Sequence, residues 1–190
     1  MWCGVDPGFT GALAFLRIGS VRPLIEAIVP MPVSAEKKLG KQSVRNEYDW
    51  PAVAQALRDF KPQRVILERQ WARPREGVTS AFRSGFGFGG LSGVLAALGI
   101  ETDLVAPASW KNDLGLRSSE KDMSRSLATM LLPEGTALFS RKKDHGAAEA
   151  ALLVVWKAAY EHEPLTRNLG GRGHRTHALA VQGDARGAAG

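Results

Sequence analysis

The stretch GVDPGFTGALAF, residues 4–15, decides how the rest of the chain is arranged. An apolar run stops at Asp6, Pro-Gly and Thr-Gly pairs follow, and a second apolar run begins at Ala12. This pattern is typical of a buried strand that ends in a tight turn and reverses into a second strand. Asp6 is then held at the end of a central strand. An Asp in this place can also simply accept hydrogen bonds from the turn backbone.

A second acidic residue, Glu68, closes the continuous apolar run at residues 65–67. Such runs are typical of strands that are covered on both faces. A carboxylate buried there costs several kcal/mol unless it is paired or bound to a metal. Two acids at strand ends therefore predict a shared site. Asp144 and Glu149, where a basic segment meets an Ala-rich helix, are the next acidic candidates for it.

Composition predicts one globular domain, residues 1–162, followed by a flexible tail, residues 163–190, without hydrophobic periodicity. The net charge of +6 favours an anionic partner. Cys3 is the single cysteine, so no intrachain disulfide is possible and a reducing compartment fits. No apolar run approaches the ~18 residues of a membrane span, and no basic segment precedes the first apolar run. We expect a soluble, cytoplasmic protein.

Hydrophobic periodicity predicts nine elements in the order β-β-β-α-β-α-β-α-α. The first three strands have short links and form an antiparallel meander, and a crossover helix then makes the fourth strand parallel to the first. The predicted architecture is an α/β fold with a mixed five-stranded sheet, three strands antiparallel and two parallel, and helices on both faces. The predicted strands span 2–5, 12–18, 24–29, 64–68 and 101–105, and the helices 47–60, 79–98, 120–132 and 147–160.

Residues 30–46 carry two prolines and a basic group, Lys37, Lys38, Lys41 and Arg45. We interpret this segment as a solvated loop, although in a DNA enzyme the same loop could contact phosphates. Residues 107–111, PASWK, read as a turn that begins with proline.

A second basic segment, residues 69–75, places Trp71 between arginines. Such interleaving suits a surface that holds backbone phosphates while a ring stacks on an exposed base. Trp71 could equally be packed in the core. By default Lys111 and Lys121 are ordinary solvated lysines. The candidates for contact with nucleic acid are Arg69, Arg73, Arg75, Arg83, Lys111, Lys121, Arg141, Lys142 and Lys143, together with Trp71.

Gly85, Gly87 and Gly90 have the spacing of a dinucleotide-binding fingerprint. That motif begins straight after a strand, and here the nearest strand ends well upstream, so we reject it. Glycines on the flank of a helix are more consistent with close approach of another backbone, from a partner subunit or a nucleic-acid strand.

Five segments occur in the order and at about the spacing seen in RuvC-like Holliday junction resolvases, which have the ribonuclease H-like fold. They are residues 4–11, 66–70, 107–111, 120–121 and 144–152, so that the resemblance covers about residues 1–156. The last segment contains Glu149-Ala150, which looks most like the bacteriophage branch, because bacterial RuvC has Asp-Ala there.

The resemblance implies a homodimeric endonuclease that binds a four-way DNA junction and nicks two opposed strands symmetrically with magnesium. Asp6, Glu68 and Glu149 are then metal ligands by position, and Asp144 or His145 supplies the fourth group. The bacterial members of the family have an acid or histidine three residues before the last carboxylate. This sequence has Gly146 there.

Helix geometry and capping favour different residues as the fourth group. At about 100° per residue, His145 and Glu149 share a helix face, whereas Asp144 and Glu149 diverge by about 140°. An Asp at the N-cap, however, has a direction that the helix does not fix. We choose Asp144, with His145 second.

The expected chemistry is two-metal phosphodiester hydrolysis, with two Mg²⁺ ions about 4 Å apart and Mn²⁺ able to replace them. The expected products carry 5′-phosphate and 3′-hydroxyl ends. Lys111 or Lys121 could offset the charge that builds on the scissile phosphate.

Three other functions compete with junction resolution. A different metal nuclease of the same fold could act on flaps, replication forks, RNA-DNA hybrids or unbranched DNA. An actin-like ATPase or kinase also opens with an Asp-x-Gly turn, but 190 residues leave no room for its second domain. A DNA-binding module without catalysis is disfavoured because clustered acids repel phosphate.

Overall fold

The computed structural model describes residues 1–37, 44–72, 74–116 and 121–161, with only the backbone for 35–37, 44–46 and 121. Several predictions from sequence lie outside these described residues. They are the tail 163–190, the roles of Arg73 and of the Lys121 side chain, and the basic side chains at 37, 38, 41 and 45.

A five-stranded sheet forms the centre of the fold, and this confirms the predicted ribonuclease H-like architecture. Its strands are β1 Trp2–Asp6, β2 Ala12–Arg17, β3 Leu24–Pro30, β6 Arg64–Glu68 and β7 Glu101–Val105. Their order in the sheet is β3-β2-β1-β6-β7, with β1–β2–β3 antiparallel and β6 and β7 continuing parallel to β1.

The register of β1 and β6 places the two predicted strand-end acids side by side. Val5 pairs with Leu67 in the parallel ladder, and Asp6 and Glu68 are the next residues along each strand. Parallel neighbours end at the same edge of a sheet, so both carboxylates lie at that edge.

Helices cover both faces of the sheet, as predicted. Two helices, α1 Trp50–Phe60 and α2 Val78–Ala97, pack on the face that carries Leu13 and Phe15 of β2. On the opposite face, α4 Lys121–Leu131 and α5 His145–Glu161 pack against alternate residues of β2. The helix α3, Pro107–Asp113, follows β7.

Close contact between α5 and the sheet depends on Gly4. A Cβ at Gly4 would lie 1.9 Å from the carbonyl oxygen of Ala150, so only glycine lets this helix approach β1 so closely. The Ala-rich sequence of α5 makes the same approach possible from the helix side. Glu149, one residue before Ala150, is thereby fixed over the edge of the sheet that carries Asp6.

Two segments differ from the sequence prediction. Residues 33–37 and 44–48 form two paired antiparallel strands, β4 Val33–Lys37 and β5 Val44–Tyr48, where a solvated loop was expected. Because β5 extends to Tyr48, helix α1 begins at Trp50 and not at residue 47. The side chain of Asp49 caps this helix by accepting a hydrogen bond from the Ala52 amide at 3.0 Å.

Residues 107–113 form a helix where a turn was expected. Pro107 occupies its first turn, where the fixed φ of proline is compatible with helix and its missing N–H is not needed. Among the described residues, no helix has an apolar stretch long enough to cross a bilayer. The cytoplasmic location stays a prediction.

Candidate active site

A cavity of about 700 Å³ opens at the edge of the sheet where β1 and β6 end. Asp6, Glu68 and Glu149 all contribute to its wall, although they are far apart in sequence. The other lining residues are Pro7, Gly8, Phe9, Thr10, Tyr48, Gln70, Thr79, Ser80, Arg83, Ser84, Lys111, Leu116, Ser124 and His145.

The electrostatics of this cavity show that its carboxylates repel one another. Burial raises the pKa of Asp6 to about 7, and the negative charges of Glu68 and Glu149 add to the effect. Burial also raises the pKa of Glu68, with the charge of Glu149 acting in the same direction. Carboxylates that resist ionisation in this way gain from any cation placed between them.

The side chain of Lys111 is the cation that lies among these acids. Its Nζ is 2.9 Å from Oε2 of Glu149 and 3.6 Å from Oε1 of Glu68. Burial alone would lower the pKa of Lys111, but the two glutamates outweigh it and the pKa is raised. Lys111 therefore remains charged in this setting and partly neutralises the pair.

Two further side chains orient the glutamates, and the sequence interpretation missed both. The indole Nε1 of Trp110, which is fully buried, donates to Oε1 of Glu68 at 3.1 Å. The hydroxyl of Ser124 on α4 donates to Oε1 of Glu149 at 3.2 Å. For Trp110, its place next to the candidate residue Lys111 was a sequence signal that could have pointed to the site. Nothing in the sequence around Ser124 distinguishes it from a surface serine.

The donor set suits a hard divalent cation, since carboxylate oxygens are the ligands that Mg²⁺ prefers. The raised pKa of Asp6 fits a metal site, because a bound cation would compensate the negative charge that ionised Asp6 carries in its buried position. Among the described residues, no three His, Cys, Asp or Glu side chains already surround one point as metal ligands do. The Lys111 ammonium lies between two of the acids, so we expect an ion to enter by displacing it.

Asp144, our first choice for the fourth ligand, is not among the residues that line the cavity. It accepts from the Arg141 backbone amide at 2.9 Å and from the Arg141 guanidinium at 2.9 to 3.2 Å. Hydrogen bonds from Arg141 lower the pKa of Asp144 and hold it ionised. Asp144 thus caps the turn before α5, and it is His145 that lines the cavity.

Gly146 occupies the position where the resembling family has a ligand. A Cβ there would lie 2.2 Å from the Thr10 carbonyl oxygen and 3.0 Å from Oδ2 of Asp6. The turn after β1 therefore packs directly against α5. A side chain at 146 could not be accommodated unless the turn that carries Asp6 moved.

The basic residues predicted to contact DNA fall into three places. Arg83 lines the cavity from α2. Arg69 and Arg75 are exposed on the segment that follows β6, as are Arg141, Lys142 and Lys143 before α5. Trp71 is 52% exposed, which excludes the alternative of a core side chain. Its role in stacking on a base, like the DNA contacts of the arginines and lysines, stays a prediction.

No family model matches the chain. Over 84 residues, 44% of its length, the chain is 34% identical to the chloroplastic Holliday junction resolvase MOC1 of Chlamydomonas reinhardtii. The chain spans only 10% of the length of that relative.

Solved structures match over most of the chain. RuvC of T. thermophilus, in complex with a Holliday junction substrate, superimposes with a TM-score of 0.57. The match covers 84% of this chain and 95% of RuvC at 16% identity. The chain has a RuvC-like fold. The yeast mitochondrial Holliday junction resolvase Ydc2 matches with a TM-score of 0.51 at 16% identity, over 88% of this chain and 83% of Ydc2.

The RuvC-like resemblance seen in the sequence is thereby confirmed at the level of the fold, and the similarity to MOC1 supports it independently. Assignment to the bacteriophage branch stays a prediction, since neither the relative nor these structures test it.

Proposed function

We propose that this chain is a magnesium-dependent endonuclease that resolves four-way DNA junctions. The observation that carries the proposal is the convergence of Asp6, Glu68 and Glu149 on one cavity of a RuvC-like fold. The 34% identity to a Holliday junction resolvase over 84 residues supports the choice of substrate. The net charge of +6 for the chain favours a polyanionic substrate, and the acidic cavity is consistent with metal-dependent chemistry.

Asp6, Glu68 and Glu149 would hold the metal ions. For the fourth group, the contacts favour His145 over Asp144, because His145 lines the cavity while Arg141 occupies the carboxylate of Asp144. The chemistry that bound Mg²⁺ supplies is activation of water for in-line attack and stabilisation of the leaving 3′ oxygen. The products would carry 5′-phosphate and 3′-hydroxyl ends, and Mn²⁺ would substitute for Mg²⁺.

The chain's own residues would position the scissile strand. Lys111, once freed from Glu149, lies close enough to the acids to offset charge on the phosphate, with Lys121 as the alternative. Arg83 on the cavity wall and the exposed Arg69 and Arg75 would hold flanking phosphates. Trp71 offers an exposed ring on which a base of the junction can stack.

Symmetric resolution requires two active sites that face opposed strands, so we propose that the enzyme works as a homodimer. A closed two-fold dimer would match the two-fold symmetry of a four-way junction. Paired nicks at symmetric positions would be its signature.

The deciding experiment is cleavage of a four-way junction with each strand labelled in turn, in the presence of Mg²⁺. We expect symmetric nicks from the wild type and junction binding without nicking from Asp6→Asn. Asp59→Asn is the matched control, because Asp59 lies exposed on α1 and bonds only Gln55 among the contacts described. Cutting by Asp6→Asn at the wild-type rate would contradict the metal assignment.

Substrate choice is tested with the same protein on other nucleic acids. A resolvase should cut the four-way junction faster than a flap, a fork, a linear duplex or an RNA-DNA hybrid. Equal rates on all of them would favour a different nuclease of this fold. ATP should neither bind nor alter the rate, and ATP dependence would favour the actin-like alternative.

A further inference from the structure

Tyr48 is the last residue of β5 and lies two residues before the start of α1. It contacts the turn that follows Asp6. Its ring is buried, with 8% exposure, and borders the cavity that contains the acids. The hydroxyl of Tyr48 donates to the carbonyl oxygen of Pro7 at 2.9 Å. Pro7 immediately follows Asp6, so this buried hydrogen bond lies one residue from the candidate metal ligand.

The ring of Tyr48 contacts the same turn a second time. It stacks on Phe9 with a centroid distance of 4.3 Å and an interplanar angle of 23°. Its other side stacks on Trp50 at 4.7 Å and 14°. The turn is therefore held on both sides of Gly8 by one side chain, and that side chain is itself held by the first residue of α1.

Two glycines of helix α2 leave the space that the side chains of Tyr48 and Trp50 occupy. A Cβ at Gly87 would lie 2.4 Å from the hydroxyl oxygen of Tyr48, and a Cβ at Gly90 would lie 2.3 Å from the Trp50 ring. By contrast, a Cβ at Gly89 would meet nothing within 4 Å. Two of the glycines on α2 thus make room for these rings, whereas Gly89 faces open space.

The backbone of the turn is held at its other end as well. The amide of Met31 donates to the Gly11 carbonyl oxygen at 2.9 Å. On the side of α5, Gly146 packs against Thr10 and Gly11. With Tyr48 removed, the Pro7–Phe9 segment would lose the hydrogen bond and the ring contact that Tyr48 provides, whereas Thr10 and Gly11 would keep their contacts with Gly146 and Met31.

We propose that Tyr48 is a positioning residue for Asp6, holding the Pro7–Phe9 segment so that the Asp6 carboxylate points into the cavity towards Glu68 and Glu149. The inference rests on the proposed function, because positioning matters only where Asp6 binds a metal ion. Tyr48 itself does not contact the ion; it acts through the turn. Gly87 serves the same purpose by leaving space for the hydroxyl.

The test measures Mn²⁺ binding to the full-length protein without DNA, by calorimetry or by the electron paramagnetic resonance signal of free Mn²⁺. Tyr48→Phe keeps the stacking on Phe9 and Trp50 and removes only the bond to Pro7. We expect it to weaken Mn²⁺ binding roughly fivefold, the equivalent of about 1 kcal/mol for one hydrogen bond. Tyr48→Leu, which also loses the stacking, should weaken binding further.

Two glycine variants provide a matched pair on one helix. Gly87→Ala should weaken Mn²⁺ binding as Tyr48→Phe does, because its methyl group displaces the hydroxyl. Gly89→Ala should bind like the wild type, since it gains the same helix propensity without meeting a neighbour. Thermal denaturation in EDTA, recorded for all four variants, separates loss of folding from loss of binding.

The outcomes distinguish this inference from the function on which it rests. Wild-type Mn²⁺ affinity in Tyr48→Phe and Gly87→Ala, with a lower melting temperature alone, would show a purely structural role and overturn the proposal. If the wild type and Asp6→Asn were equally unable to bind Mn²⁺, the metal-dependent function itself would fail and the positioning role with it. Weaker binding in Tyr48→Phe and Gly87→Ala, with normal binding in Gly89→Ala, would support it.

Discussion

The ammonium nitrogen of Lys111 lies 2.9 Å from Oε2 of Glu149. Oε1 of Glu68 is 3.6 Å from the same nitrogen. Because Lys111 follows Trp110 on α3, a single short helix fixes both the indole that bonds Glu68 and the ammonium that bridges the two glutamates. The protein without metal therefore carries its own counter-ion for this pair.

Replacing Lys111 by Met should destabilise the metal-free protein and leave it responsive to magnesium. The two glutamates would lose their shared cation, and the loss should be about 2 kcal/mol, below the range for fully buried pairs because Lys111 is partly exposed. Mg²⁺ should restore most of this stability by taking the place of the ammonium. Chemical denaturation in EDTA and in Mg²⁺ measures both effects.

A second lysine provides the control for that experiment. Lys157 lies 3.1 Å from Glu161 and 3.5 Å from Asp103, an ion pair of similar exposure on a different part of α5. Lys157→Met should also lose stability, but Mg²⁺ should not restore it. Equal recovery in both variants would show that the magnesium effect is not specific to the cavity.

Asp6→Asn should be more stable than the wild type at pH 8 when no metal is present. The pKa of Asp6 is about 7 in the folded protein and near 3.8 when exposed, so the folded state binds the extra proton between these values. The contribution of Asp6 to the free energy of unfolding is therefore fully present below the ordinary pKa of 3.8 and is lost as the pH rises through 7. The difference between the folded and exposed pKa of Asp6 corresponds to a loss of at most about 4 kcal/mol in the free energy of unfolding.

Melting curves in EDTA from pH 5 to pH 8 measure this difference. Glu68, whose pKa is also raised, contributes in the same direction, so Asp6→Asn should reduce the pH dependence without removing it. Excess Mg²⁺ at pH 8 should stabilise the wild type more than the variant. A wild type that gains stability relative to Asp6→Asn between pH 5 and pH 8 in EDTA would contradict the burial of an ionised Asp6.

The sequence predicted the Asp6 and Glu68 pair because their position follows from strand ends alone. Both acids close apolar runs, and parallel strands that are neighbours end at one edge of the sheet. Glu149 was a candidate from its place in the sequence, but only the resemblance to a family predicted that it is a metal ligand. Nothing local shows that α5 crosses this edge, since the approach depends on the packing of Gly4 against Ala150.

The elements that sequence reasoning missed are those that other parts of the chain stabilise. The paired strands β4 and β5 have few apolar residues, and they are tied to the fold through the neighbouring Met31 and Asp49 and through the buried ring of Tyr48. The helix α3 has only seven residues, too few for a period of 3.6 to show. The direction of Asp144 was open because an N-cap side chain takes whichever partner lies nearby, here Arg141.

Asp144→Ala and His145→Ala should have opposite effects on folding and on metal binding. Asp144 accepts from the Arg141 backbone and guanidinium, so Asp144→Ala should cost about 1 to 2 kcal/mol of stability and leave Mn²⁺ affinity near normal. His145 lines the cavity, so His145→Ala should weaken Mn²⁺ binding with a smaller loss of stability. The stability conferred by Asp144 should disappear as the pH falls through its lowered pKa.

The same two variants decide the fourth ligand directly. If Asp144→Ala abolishes Mn²⁺ binding while the protein remains folded, then the carboxylate leaves Arg141 when metal binds and the original choice of Asp144 is right. Normal binding in both variants would exclude both residues from the metal site.

Arg83→Gln should weaken junction binding and reduce its dependence on salt. Arg83 is exposed and lines the cavity that contains the acids. Arg58 is its control, because it lies on α1 and lines a separate groove together with Lys61 and Leu98. If Arg83 holds one phosphate, its loss should lower the slope of log affinity against log salt concentration by about 0.9. Arg58→Gln should leave that slope unchanged. Equal losses in the two variants, measured by fluorescence anisotropy with a labelled junction in EDTA, would mean that the effect of Arg83 comes from net charge and not from a phosphate held at the cavity.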